Sequence, residues 1–234
     1  MSLSSPIALI FGAGKNTGAA VANAFFAKGY KIATVSRTTS TDSADNDKRL
    51  HIQSDMADPK SVSTVFQTVR KHFGEPSVVV YNAAANAHMN KSDPLQIPLD
   101  VAAKEININV LSALAAAKEA VVSFESLKSG SKSFIYTGNI LNQKVILPLL
   151  SNGMGKSAAA HLMHASSDAY KDRGYRFYYA DERTEAGEPV YSAIDGKAHG
   201  AFYVELSEKG AGSWLATFVK GKGYVDFSAQ RSSI

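Results

Sequence analysis

The sequence predicts an α/β protein, a doubly wound parallel sheet of about seven strands flanked by helices on both faces. Three observations lead there. Short apolar runs alternate with segments of helical period from the start of the chain. The runs are continuous rather than alternating, as in strands covered on both sides. The first of them breaks into a glycine-rich turn that opens a helix. The 234 residues show no internal repeat and no dividing linker, so 1–234 reads as a single domain.

Ile7 to Phe11 (IALIF) forms the first strand, and Val21, Phe25 and Phe26 give the following helix its apolar face. Lys31 to Ser36 is the second strand. Thr38 to Lys48 is polar and without apolar period, so an exposed loop is expected there. Leu50 to Gln53 makes a short third strand. Asp58-Pro59 then supplies an N-cap and first helical residue for a helix with Val62, Val65, Phe66 and Val69 on one face. Ser77 to Tyr81 (SVVVY) is the fourth strand. A long helical segment follows from Leu99 to Leu127, with Ile106, Val110, Leu111 and Leu114 set toward one side. Ser133 to Tyr136 is the fifth strand, Ser157 to Lys171 an alanine-rich helix, and Arg176 to Tyr179 the sixth strand. A helix at Ala198 to Ser207 and a last strand at Tyr224 to Phe227 complete the expectation, with Trp214 to Lys220 read as apolar packing or a subunit contact.

Composition removes several function classes. With no cysteine there is neither disulfide nor thiolate nucleophile nor thiolate metal site, which suits a reducing compartment. No apolar run reaches the roughly 18 residues of a membrane span, and no signal peptide is seen, so a cytoplasmic location is expected without a membrane partner. The net charge of +4 comes from dispersed lysines and arginines rather than a basic stripe, so no nucleic-acid partner is expected. His161 and His164 share a helical face, but a third ligand is missing and no metal is expected.

The turn IALIFGAGKNTGAAVA sets Gly12, Gly14 and Gly18 between a buried strand and a helix. Glycine permits a tight turn and close backbone approach, and the helix start offers free N–H groups to a pyrophosphate. After the second strand the chain reads Val35-Ser36-Arg37-Thr38, with no carboxylate to hold ribose hydroxyls. Arg37 and Lys15 instead suit the extra phosphate of NADP, so NADP is favoured over NAD.

These residues make the chain similar to the short-chain dehydrogenase/reductase family, a Rossmann-type fold. Gly12 and Gly18 match the ends of its G-x-x-x-G-x-G turn, and Asn16 stands at the middle glycine, where asparagine tolerates a left-handed backbone. The resemblance implies that Asp55 contacts adenine, that Asn82 and Ala83 support the sheet and the nicotinamide ribose, and that Asn109 holds a catalytic water. It also implies a serine after the fifth strand and a Tyr-x-x-x-Lys. Here Asn139 takes the serine position, with Thr137 the nearby hydroxyl, Asn152 takes the tyrosine position, and Lys156 matches the lysine. Asparagine can donate a hydrogen bond but cannot be an acid or base. The implied function is an NADP(H) oxidoreductase on a carbonyl or alcohol of unknown identity, or else a non-catalytic NADP(H)-binding protein. After the sixth strand, Asp181 and Arg183 replace the family's Pro-Gly turn and could supply another acid or an anion site. The family's habit of pairing through its long helices, with small residues in Ser112 to Ala117 and Ser157 to Ala160, implies a homodimer or homotetramer.

Overall fold

The computed structural model describes residues 5–38, 47–88, 90 and 92–227. Eight strands form one sheet in the order β3-β2-β1-β4-β5-β6-β7-β8. They are β1 (Ile7–Phe11), β2 (Lys31–Ser36), β3 (Arg49–Gln53), β4 (Val78–Tyr81), β5 (Ser133–Thr137), β6 (Arg176–Arg183), β7 (Leu215–Val219) and β8 (Gly223–Tyr224). All neighbours run parallel except β7 and β8, which are antiparallel. The order reverses between β1 and β4, the place where such sheets open a crevice at their carboxyl ends.

Helices α1 (Thr17–Ala27) and α6 (Gly196–Lys209) cover one face of the sheet. The other face carries α2 (Ser61–His72), α3 (Leu99–Ile106), α4 (Ser112–Ser126) and α5 (Leu150–Tyr170). A π-helical segment, Asn107–Leu111, joins α3 to α4. The run 99–126 has the length and composition of a membrane-crossing helix, but it is a sheet-covering layer whose buried face accounts for that character.

On that second face Phe11, Tyr81, Tyr136 and Tyr179 stand in one register row across β1, β4, β5 and β6. Their rings stack at centroid distances of 5.6, 5.8 and 5.7 Å. Each such pair adds about 0.5–1.5 kcal/mol beyond its buried area. Tyrosines this bulky leave room only for small residues opposite, and α4 turns Ala113, Ala116, Ala117 and Ala120 toward the sheet. The expected apolar face is therefore wrong: Leu111 and Leu114 are exposed, and Ile108 and the alanines are buried. The extra residue in the π turn rotates the helix relative to an unbroken 3.6-residue period.

Other expectations shift for local reasons. Residues 39–46 of the expected polar loop lie outside the described residues. Phe26 is exposed, with the Arg49 guanidinium 4.0 Å over its ring, because only Val21 and Phe25 turn inward. Helix α2 starts at Ser61, not Pro59; the Asp58 carboxylate accepts the Lys60 N–H at 3.0 Å and holds a turn first. Helix α5 begins at Leu150, ahead of the expected Ser157, and contains two glycines, of which Gly155 stands where the helix packs closely on Asn109. Leu215–Val219, read as packing, is the fully buried strand β7, and the last strand is the short Gly223–Tyr224 rather than 224–227. Strand β6 continues four residues past Tyr179, so Ala180 to Arg183 is strand and not a following loop.

Candidate active site and dinucleotide cradle

The glycine turn is shaped by steric necessity. Gly12 has φ +82°, and a Cβ there would lie 2.4 Å from the Ala83 backbone nitrogen. A Cβ on Gly18 would lie 2.3 Å from the Gly12 carbonyl oxygen, whereas Gly14 faces open space. Gly12 and Ala13 donate their N–H groups to the Val35 carbonyl at 2.9 and 3.1 Å, tying the turn to β2. Asn82 Nδ2 donates to the Gly12 carbonyl at 2.7 Å, tying it to β4. Asn82 and Ala83 thus lie against the turn. Asn16 stands at the N-cap position of α1 with φ −90°, outside the left-handed region and without a capping side-chain hydrogen bond, so its tolerance of that region is not what preserves the turn. Its Nδ2 instead donates to the Ile194 carbonyl at 3.3 Å, binding the turn to the segment before α6.

This cradle fits a dinucleotide: backbone replaces side chain where the phosphates would approach, and the free N–H groups of the first turn of α1 close it. Lys15 and Arg37 are both exposed, one in the turn and one past the end of β2. The Arg37 carbonyl accepts from Gln53 Nε2 at 2.9 Å. Asp55 is exposed, and its carboxylate accepts the Ala57 N–H at 3.0 Å, so it also orders the turn after β3.

Asn109 is fully buried in the π segment. Its side chain exchanges two hydrogen bonds with Ala85, accepting from the N–H at 3.0 Å and donating to the carbonyl at 2.9 Å. Tyr81 and Tyr136 donate their hydroxyls to the Ile108 and Asn109 carbonyls at 2.6 and 3.0 Å, so the tyrosine row anchors the π segment from the sheet. Gly155 lets α5 approach it: a Cβ there would be 2.8 Å from Asn109 Cβ. One turn before Asn109, the buried Glu105 accepts from the Ala87 N–H and from Ser151 Oγ, the latter at 2.5 Å. Glu105 and Ser151 went unseen in the sequence. The four-residue spacing of Glu105 and Asn109, which sets both on one helical face, is the signal that could have found them.

On α5, Asn152, Gly155 and Lys156 share the buried face. Lys156 Nζ donates to the Thr137 carbonyl at 2.8 Å and lies 4.7 Å from the Tyr136 ring centroid. Burial pulls its pKa down to about 8, against the opposing pull of Asp181. Asp181 is itself pushed up to about 6 by burial, although Arg183 Nε donates to its Oδ2 at 2.5 Å. Arg183, Asp181 and Lys156 are all at most 4% exposed. A buried carboxylate with a raised pKa and a buried ammonium with a lowered one, each within electrostatic reach of the other, mark a candidate site for proton handling.

Asn139 does not face this group as a simple substitute for serine. Its Oδ1 accepts the Leu141 N–H at 3.0 Å and caps a short turn, while its backbone exchanges hydrogen bonds with Tyr179 Oη. Thr137 Oγ1 accepts from Tyr203 Oη at 2.9 Å. Asn152 is 5% exposed, and its Oδ1 has no hydrogen-bond partner among the described residues. His164 stacks on Trp214 at 4.6 Å and meets Asp168 at 3.5 Å, and no cluster of three or more potential metal ligands occurs among the described residues.

The sequence model of the short chain dehydrogenase family matches residues 6–178. A short chain dehydrogenase/reductase, dmxR12, of Cryptosporiopsis sp. (strain 8999) is 46% identical over 240 residues, spanning 97% of each chain. The chain belongs to the short-chain dehydrogenase/reductase family. Membership makes it an oxidoreductase of a family that binds NAD or NADP. A partial likeness extends to the NAD(+) 15-hydroxyprostaglandin dehydrogenase of Homo sapiens, 32% identical over 108 residues, 42% of this chain and 41% of that one. Among solved structures, the NADPH-dependent 3-quinuclidinone reductase of Rhodotorula rubra superposes with TM-score 0.76 at 21% identity, covering 95% of this chain and 92% of that one. The short-chain dehydrogenase/reductase of Serratia marcescens does so with TM-score 0.74 at 20% identity, covering 94% and 99%.

Proposed function

We propose that this family member is an NADP(H)-linked oxidoreductase acting on a carbonyl or alcohol, with Lys156 handling the proton that a tyrosine handles elsewhere. The observation that carries the reading is the buried Lys156 ammonium, held by the Thr137 carbonyl and brought by burial to a pKa of about 8. A group of that pKa can give a proton to a developing alkoxide and regain one from solvent near neutral pH. A bound dinucleotide would supply the hydride. Asn109 fixes the loop after β4, Asn152 offers an amide to the substrate oxygen, and Asn139 shapes the turn beside them. Lys15 and Arg37 would pair with the extra phosphate of NADP, since no carboxylate competes at the end of β2.

The test is a titration with NADPH and NADH, followed by nucleotide fluorescence. Micromolar NADPH binding, weakened in Arg37→Ala, and carbonyl reduction lost in Lys156→Ala are the expected results. The residue type at 152 favours a second reading, a non-catalytic dinucleotide-binding protein, since an asparagine side chain cannot transfer a proton. Tight NADPH binding without turnover over a carbonyl panel would select it. Exposed Leu111 at the end of the π segment, Leu114 on α4 and Met154 on α5, with the small residues around them, support pairing of two or four copies through these helices.

A further inference from the structure

Beyond Tyr179 the two faces of β6 part company. Phe177 and Tyr179 pack into the core on the α5 side, and Tyr178 and Ala180 into the core on the α6 side. The two-residue period of a strand carries Asp181 and Arg183 to the side of Lys156 and sends Glu182 to the other. Glu182 is occupied there, accepting the Asp195 N–H at 2.9 Å and lying 3.4 Å from His199 Nδ1. The side facing α5 therefore holds Lys156 and Arg183 with Asp181, while the other buried carboxylate against α5, Glu105, is taken up by Ser151 Oγ and the Ala87 N–H.

Arg183 is not saturated by that carboxylate. Its Nε donates to Asp181 and its Nη1 to the Gly187 carbonyl at 2.9 Å, but the buried Nη2 has no hydrogen-bond partner among the described residues. Burying a cationic donor without an acceptor is costly, and buried charges are normally paired. One helical turn before Lys156, Asn152 Oδ1 is orphaned in the complementary sense, an acceptor without a donor. A planar cationic donor left without an acceptor and a separate amide acceptor suit a compound with an anionic oxygen beside a carbonyl or hydroxyl carbon.

We infer that Arg183 seats a carboxylate of the substrate, so that the compounds taken are oxo acids or their hydroxy acid counterparts. The inference rests on the reading of the Lys156 region as the substrate site. It is tested by adding 2-oxo and 3-oxo acids, and their methyl esters, to the NADPH-loaded protein and following the fluorescence of the bound nucleotide. Acids should bind about tenfold or more tightly than their esters, a difference of the size that a charge-assisted hydrogen bond supplies. Arg183→Gln should abolish the preference while leaving NADPH affinity unchanged, and Asp181→Asn, which removes the competing carboxylate, should increase it. A purely structural role for Arg183 does not give that increase. Esters binding as well as acids would overturn the inference. So would loss of NADPH affinity in Arg183→Gln with the acid preference intact, which would turn the guanidinium toward the dinucleotide. Should Arg183→Gln not fold, Arg183→Lys and Asp181→Asn carry the same test. If neither nucleotide binds, the oxidoreductase reading falls by itself. Thermal shifts of the nucleotide-free protein with acids and esters then decide the inference: an acid-specific shift reduced in Arg183→Lys sustains it, and equal or absent shifts overturn it.

Discussion

The two sides of the crevice at the sheet's carboxyl edge are built by different means. Around β1 and β4 the chain uses backbone: a glycine at φ +82°, a second glycine against its carbonyl, and an asparagine amide that ties them to the neighbouring strand. Around β5 and β6 it uses buried side chains, with Lys156, Asp181 and Arg183 at most 4% exposed beside a tyrosine row. The first side leaves little freedom for change, because a Cβ would collide with backbone that cannot move aside. The second side carries asparagines at 139 and 152 and a buried ion pair between Asp181 and Arg183 on the same fold. Backbone sterics constrain a sequence more tightly than side-chain chemistry does.

The largest way to break the first side is Gly12→Val, whose Cβ meets Ala83 nitrogen at 2.4 Å in a backbone region that valine avoids. A loss of about 3–5 kcal/mol is expected in urea unfolding, with nucleotide binding abolished. On the second side Lys156→Met should act oppositely, removing reductase activity while raising stability by about 1–3 kcal/mol at pH 7, since burial of the ammonium carries a penalty. The sign follows from the depressed pKa. Below pH 8 the lysine is charged in both states and the full penalty is present; as pH rises from about 8 to 10.5 the folded state sheds its proton first and the penalty fades. The advantage of the methionine variant should fade over the same range in pH-dependent melting, and the reductive rate of the unmodified chain should fall as pH rises through about 8.

Two smaller effects sharpen the comparison. Arg37→Ala should weaken NADPH about tenfold, roughly 1.4 kcal/mol, and leave NADH unchanged, as read by fluorescence titration. Equal losses for both nucleotides would place the guanidinium away from the ribose phosphate. Asp55→Ala removes one exposed hydrogen bond to the Ala57 N–H. It should lower stability by no more than about 1 kcal/mol, with at most a modest effect on either nucleotide.

The strand–turn–helix unit at Ile7–Ala27 could be read from the sequence because its signals are local: an apolar run, glycines at fixed offsets and an apolar helical face. Lys156 could be read because it stands at a recognisable spacing. Strand β7 could not, since a buried run of five residues looks the same whether it pairs or merely packs. The inward face of α4 was misread because the π turn before it breaks the helical period, and no residue type marks such a turn.

The sequence alone determined the fold class, the glycine cradle and the absence of an acid or base at Asn152, because each depends on residue type and near spacing. Tertiary structure decided that the Lys156 and Arg183 ammonium and guanidinium groups share a buried face with Asp181, that Asn139 serves as a turn cap, and that Glu105 joins the loop after β4 to the start of α5. These depend on burial and on contacts between segments far apart in the chain. The free energy of a buried charge is fixed by what surrounds it, and only the folded chain supplies those surroundings.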